Sequence, residues 1–380
     1  MTGLVGRRQV LRWAGAAGML AVAGPALTSC GPRPTPFGGD ENGLVLPPGF
    51  SSRIIARGEE TVVGVHYRAF PDGAATIPDP AVAGGWYLVV NHEIPFSGGV
   101  TAVRFAPDGE ITGARQLLMG TSLNCAGGAT PWGTWLSCEE FDGGRVWECD
   151  PVTGTVEVRP QMGHFQHEAA AVAADGRVYL TEDKPDGAFY RFTPTVAGDL
   201  SAGVLEVATG PGAPGPVTWV EVTDPFAWTT PTRRQVADTL RFDGGEGIDT
   251  DGTSVWFTTK GDDRVWRYDT GAATVEIHYQ GGGGDVLSNV DNLYHDDPSG
   301  VLLVAEDGGD LQLVAIRPGR GAEALVQVLG QEGSEVTGPT FNPDRTRLYF
   351  SSQRGPNSLG LPFGITYEVT GPFDEWLSAA

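Results

Sequence analysis

A segment of one character returns six times along the chain, and that repetition restricts the fold more than any other feature. The copies are Trp86–Glu93 (WYLVVNHE), Thr134–Glu140 (TWLSCEE), Arg177–Asp183 (RVYLTED), Val255–Asp262 (VWFTTKGD), Val301–Asp307 (VLLVAED) and Arg347–Gln353 (RLYFSSQ). Each reads as a short strand ending in a polar or acidic group, and each is followed by a second strand-like run, near Val100, Arg145, Ala188, Arg264, Leu311 and Gly364. Most intervals between copies are 43 to 48 residues, and one is 78, stretched by an insertion around Pro194–Asp238. A period in the forties with about four strands per unit is the signature of a β-propeller. A generic sandwich does not accommodate six tandem copies. The expectation is an all-β, six-bladed β-propeller spanning residues 44–380. The 56 glycines and 28 prolines supply turns, and with hydrophobics at 40 % the chain is not a disordered one.

The segment before the repeats reads as an address. Arg7-Arg8 precedes an apolar, Gly/Ala-rich stretch from Trp13 to about Ala26, with no acid before Asp40, which resembles a Tat export signal. The stretch is too short and small-sided for a span of about 20 residues. Leu27-Thr28-Ser29-Cys30 resembles a bacterial lipobox, so the expectation is a signal peptide over 1–29, a lipidated Cys30, and a flexible tether over 30–43. The protein would be exported by Tat to the periplasm or cell surface, touching membrane only through that lipid. With 47 acids against 25 bases, and Lys184 and Lys260 the only lysines, the net charge of −22 repels phosphate backbones and anionic lipid, which excludes nucleic acid as a partner. A closed propeller needs no partner to bury its core, so a monomer is expected.

In a propeller the first strand of each blade lines the central channel, and its polar residues converge on one axis. Cys125, Glu168, Glu246, Asp291 and Glu335 stand at spacings of 43, 78, 45 and 44, in step with the blade period. A metal-binding side chain therefore recurs at one structural place in five blades. Carboxylates and a thiol packed around a narrow channel repel each other unless cations neutralise them. Oxygen ligands suit Ca2+, Mg2+ or Mn2+, while a thiolate calls for iron or zinc, so a cluster of both kinds is expected. Glu93, Glu140, Glu182 or Asp183, and Glu306 or Asp307 at the ends of the next strands add to the supply. Cys138 and Cys149 are symmetric about Gly143-Gly144, and a two-residue hairpin there would set them opposite one another, one of several registers, in which a disulfide could form. Cys125 is left unpaired, which asks for metal ligation. His92, His164 and His167 sit beside the candidate ligands; by strand alternation His167 points away from Glu168 and supports rather than ligates. No G-x-S-x-G elbow, P-loop or H-E-x-x-H is present.

At these residues the sequence resembles the PhoX-type bacterial alkaline phosphatases. The matching stretches are Val90–Glu93, Asn124–Gly128 with Thr130–Thr134, Cys138–Glu140, Gly163–Glu168, Glu246–Ile248, Asp291–Leu293, Glu306–Gly308 and Glu335–Pro343, in order over about residues 44–373. The resemblance implies a cluster of Fe3+ and Ca2+ in the channel and hydrolysis of phosphomonoesters, with small phosphorylated substrates. It implies Cys125, Glu168, Glu246 and His164 as catalytic residues, and Glu93, Cys125, Glu168, Glu246, Asp291, Glu306 and Glu335 as metal ligands. Two positions depart from the family pattern: Gly244 stands where larger members carry a phosphate-gripping arginine, and Cys138 stands where glycine is usual. Arg241, Lys260 and His164 are the candidates for the missing cation. Two other readings remain: a calcium-dependent lactonase-like or esterase-like propeller hydrolase, and a non-catalytic, metal-stabilised propeller that binds a partner.

Overall fold

The computed structural model describes residues 38–281 and 285–378; the expected signal peptide, Cys30 and the tether as far as residue 37 lie outside the described residues. The regular structure of the described chain is almost all antiparallel strand, gathered in six sheets of four or five strands that follow one another in sequence, with a separate two-stranded hairpin, Glu60–Val62 with Val65–Tyr67. Blade 1 holds Pro71–Pro78, Trp86–His92, Gly98–Phe105 and Ile111–Thr121; blade 2 holds Asn124–Ala129, Trp135–Glu139, Val146–Cys149 and Val156–Val158. Blade 3 holds His167–Val172, Val178–Glu182, Phe189–Val196 and Asp199–Thr209; blade 4 holds Gly245–Thr250, Ser254–Thr259, Arg264–Asp269 and Thr274–Gln280. Blade 5 holds Val290–Asp296, Val301–Glu306, Gln312–Arg317 and Gly321–Val328. Blade 6 takes three strands from the C-terminal part, Val336–Phe341, Arg347–Ser352 and Ile365–Thr370, and its fourth, Ser51–Arg57, from the N-terminal part. The expected six-bladed propeller is the fold.

That borrowed fourth strand closes the ring. Arg53 lies opposite Glu368, and its guanidinium makes a 2.8 Å ion pair with a carboxylate that also accepts from Arg347 and Tyr349. Leu44–Val45 adds a further edge to blade 5 by pairing with Gly321–Val328. The long insertion after Phe189–Val196 does similar work between blades 3 and 4. Thr218–Glu221 lies along the edge of blade 3, while Gly215–Pro216 pairs with Thr274–Gln280 of blade 4.

The core is six separate apolar wedges, one between each pair of neighbouring blades. This explains why the repeated segments carry runs of consecutive apolar residues rather than alternate ones. In Trp86–His92, Trp86, Leu88 and Val90 enter the wedge against blade 6, while Tyr87 and Val89 enter the wedge against blade 2. A strand covered on both faces carries no polar side. The same alternation separates the two cysteines of blade 2. The hairpin pairs Trp135 with Cys149 and Cys138 with Val146, so Cys138 faces blade 3 and Cys149 faces blade 1. Both are free thiols, and the disulfide register does not occur. Among the described residues the α-helix Phe373–Ser378 is the longest helix, and no helix is long and apolar enough to cross a membrane.

Candidate metal centre

Every blade carries the same irregularity between its first and second strands. The pairing register slips across Pro71/Ala74, Asn124/Gly127, His167/Ala170, Gly245/Ile248, Val290/Leu293 and Thr337/Thr340, leaving two inner residues opposite one partner. A bulge of this kind breaks strict alternation and re-aims a side chain. Its first residue is Asp72, Cys125, Glu168, Glu246, Asp291 and, in blade 6, Gly338. Its second residue is Gly73, Ala126, Ala169, Gly247, Asn292 or Pro339, and these line a narrow axial cavity. The smallness is required: a Cβ on Gly247 would lie 2.4 Å from Leu293 N, and one on Gly73 would lie 2.5 Å from Ala126 Cα. Side chains of the preceding blade pin the bulges. Asn91 Nδ2 donates to Cys125 O (3.1 Å) and Ala126 O (2.8 Å), and the hydroxyls of Thr181 and Thr258 donate to Glu246 O and Asp291 O.

The periodic set predicted from spacing is therefore corrected at its ends. Asp72 fills a bulge seat that the 53-residue step to Cys125 hid, because the strands of blade 1 are longer in sum than those of the other blades. Glu335 is not equivalent to the other four; it stands three residues before the glycine that holds the seat in blade 6 and approaches from the strand's entry.

A second ring comes from the residues just past the second strands. Pairing sets His92, Glu139, Glu182 and Glu306 opposite the residue before each bulge in blades 1, 2, 3 and 5, and the next residues are Glu93, Glu140, Asp183 and Asp307. Lys260 holds the corresponding place in blade 4; in blade 6 the place falls on Ser352, and Gln353 follows it. The paired residues brace loops. Glu182 accepts from Ala188 N, Tyr190 Oη and Arg233 Nη1, and Glu306 accepts from Ser288 N (2.9 Å) and Gln312 N (3.0 Å). Glu306 is thus occupied in holding backbone, and Asp307 is the channel residue in its stead: a correction of one position, which in a strand is a change of face.

The two rings meet in a continuous chain of donor groups: Asp72, Glu93 and Cys125; Cys125, Glu140 and Glu168; Glu168, Glu246 and Asp291; Asp291, Asp307 and Glu335. Within each group the candidate ligand atoms lie within 4.8 Å of one another. Burial, and then the neighbouring acids, hold Asp72, Glu140, Glu168 and Glu335 well above the usual carboxylate range, and push the Cys125 thiol up as well. Glu246 and Asp291 are raised by burial against the opposing pull of Lys260. Cys125 Sγ donates to Glu168 Oε1 at 3.1 Å, while Glu168 Oε2 and Asp72 Oδ1 are fully buried with no hydrogen-bond partner among the described residues. Unpartnered buried carboxylate oxygens beside a thiol fit metal ions, which would take the place of the protons.

Of the candidate cations, Lys260 alone touches the ring carboxylates: its Nζ lies 3.2 Å from Glu246, 3.3 Å from Asp291 and 3.0 Å from Asp307. Arg354 pairs with Glu335 at 2.8 Å. Arg241 Nη1 donates to Asp186 O and makes no ion pair with a ring acid among the described residues. His164 is not brought to the ring: its imidazole meets Phe226 edge-on, and Arg145, Glu139 and Asp224 are its charged neighbours. His92 and His167 are neutral braces bonded to Ala69 O and Gly163 O, with burial holding each pKa down to about 3. Gly244 has φ +72°, and its carbonyl accepts Lys260 N.

The ring acids sit where inner strands begin and second strands end, so the loops at that end of the propeller surround them. These loops carry the exposed side chains Phe96, Trp228 and Leu359.

Residues 98–145 and 141–264 match the family model described as alkaline phosphatase PhoX. No curated protein matches the sequence. Among solved structures, that of Pseudomonas fluorescens PhoX in complex with vanadate, a transition state analogue, superposes with a TM-score of 0.69 at 18% identity, covering 87% of this chain and 96% of that one. At this identity the likeness is one of fold. A nidogen/laminin complex matches at a TM-score of 0.47 and 12% identity over 72% of this chain and 87% of that one, too weakly to carry an argument.

Proposed function

The chain belongs with the PhoX-type alkaline phosphatases, and from that premise we propose that it hydrolyses phosphomonoesters at a cluster of Fe3+ and Ca2+ held in the channel. The observation that carries the reading is the unbroken chain of donor groups from Asp72 to Glu335, with one thiol in its midst. Cys125 supplies the soft ligand that favours iron, and the carboxylates of Asp72, Glu93, Glu140 and Glu168 around it supply oxygen donors for iron and calcium alike. When bound, the metal ions supply Lewis-acid neutralisation of the phosphoryl charge. The protein's own contribution is placement. The bulges aim Asp72, Cys125, Glu168, Glu246 and Asp291 from the inner strands, the ends of the second strands bring Glu93 and Glu140, and the small second residues of the bulges line the axial cavity beside them. Small phosphorylated molecules are the substrates expected of such a phosphatase. Export by Tat, with Cys30 as a lipid anchor at the periplasmic or cell surface, belongs to the same proposal.

The test is metal analysis of protein from a Tat-competent host, with p-nitrophenyl phosphate hydrolysis on the same sample. Iron plus calcium with turnover is the expected result; calcium alone would restore the lactonase-like reading. A second reading, a metal-stabilised binding module, is favoured by Gly244 in place of an arginine and by the engagement of Lys260 with three acids. Cys125→Ser separates the two. It is expected to remove bound iron and lower turnover by at least the ~10–100-fold typical of residues that only support a metal site, whereas a binding module would lose stability and have no turnover to lose.

A further inference from the structure

The two halves of the ring are neutralised differently. Around Cys125 the contacts come from neutral groups: the Gln353 amide donates to Asp72 and Glu93, the Gln166 amide to Glu140, and the thiol to Glu168. Unpartnered oxygens of Asp72 and Glu168 are in this half, while across the channel Glu246 Oε1, which accepts no hydrogen bond among the described residues, has the Lys260 ammonium at 3.2 Å as its ion-pair partner. Across the channel, the Lys260 ammonium lies within 3.0–3.3 Å of Glu246, Asp291 and Asp307, and Arg354 takes Glu335. Lys260 also holds the ring place that an acid holds in blades 1, 2, 3 and 5. Exchanging an anion for a cation at one ring position changes the local charge by two, which is the charge of one calcium ion. An ammonium has three donors and no acceptor, and here three carboxylates receive it. Its backbone is fixed by the 2.8 Å bond from Lys260 N to Gly244 O.

We propose that the Lys260 ammonium is a built-in cation occupying a divalent-ion seat between Glu246, Asp291 and Asp307, so that metal binding is confined to the half ring around Cys125. This inference rests on the metal-dependent reading above and concerns how many ions the channel holds. Asp307 and Glu335 then serve as partners of protein cations rather than as metal ligands.

The experiment compares wild type with K260M, which keeps the aliphatic stem, and K260E, which restores an acid to that ring place. All three are produced with excess calcium, stripped of loose ions, and assayed for iron and calcium per chain by elemental analysis, with thermal unfolding followed in calcium and in chelator. Both variants are expected to hold one more calcium per chain than wild type, and calcium is expected to raise the melting temperature of K260E more than that of wild type. Equal metal content in all three folded proteins overturns the inference, as does a loss of folding in both variants that calcium does not restore. A wild-type protein free of metal would instead overturn the metal-dependent reading, so the two failures are distinguishable.

Discussion

Adjacent residues at the end of a second strand have opposite fates. Glu306 points away from the channel and receives two backbone amides; Asp307 faces it and meets Lys260. Glu306→Gln keeps one carbonyl oxygen and puts a donor where the other acceptor stood. One of the two half-buried amides loses its partner, costing at most about 1–3 kcal/mol, and metal content is unchanged. Asp307→Asn leaves those amides bonded and takes one of its three carboxylates from Lys260, so it is expected to cost less stability and, with Lys260 still in the seat, to leave metal content unchanged. Urea unfolding and elemental analysis of both variants check the pair, and a Glu306→Gln protein depleted of metal would show the assignment of faces to be wrong. The acidic pairs EE, ED and ED at the strand ends were visible in the sequence, but not which member turns inward, because that depends on the bulge register. Asp72 was hidden for a related reason: its Pro-Asp-Gly setting reads as an ordinary turn, and its distance from Cys125 breaks the period that marks the others.

At the level of the strand, the bulge is the device that turns a regular repeat into a site. Two residues facing one partner let a ligand and a small residue point where alternation would forbid them, and the small residue lets the inner strands approach each other. Gly247→Ala is the sharpest test of that approach. The new methyl would meet Leu293 N at 2.4 Å and Asn292 Cα at 2.6 Å, backbone atoms of blade 5 that have no rotamer to escape into. A loss of about 1–3 kcal/mol is expected from such overpacking, read as a lower urea midpoint. Gly113→Ala, on an outer strand with nothing within 4 Å of the added carbon, is the control and is expected to leave the midpoint unchanged or slightly raised. Strand existence and blade number followed from the apolar repeats because each strand is buried on both faces. Register did not, since a doubly buried strand has no polar side to fix it, and the positions of Cys138 and Cys149 show the consequence. Both lie in the hairpin as expected, yet the observed register sends them into opposite wedges. Thiol labelling of denatured, unreduced protein is expected to modify both residues; protection of both would restore the disulfide register.

For the molecule as a whole, the ring of blades is closed by strand pairing, with no disulfide among the described residues, and its stability is linked to what fills the channel. The N-terminal strand Ser51–Arg57 joins the ring by hydrogen bonds and by the Arg53–Glu368 pair, while on the axis the acids of all six blades bear on one another. This closure was not legible in the repeats, because Ser51–Arg57 resembles an unattached first strand until its pairing with Ile365–Thr370 is seen. Without metal, the channel acids carry folded-state pKa values raised by burial and mutual repulsion. Such a group contributes most to stability below its unfolded pKa and loses that contribution as pH rises through the folded value. The metal-free protein is therefore expected to weaken as pH rises from the ordinary carboxylate range through the raised folded values. The loaded protein is expected not to, since cations replace the protons and bind more tightly as protons leave. His92 and His167 act in the other direction, their lowered values near 3 removing stability as pH falls from about 6.5. Measurements between pH 6.5 and 9 isolate the acids. The gap in melting temperature between loaded and chelated protein is expected to widen with pH across that range. A constant gap would mean that the channel acids are not what the metal relieves, and the stabilising cation would then have to be sought outside the ring.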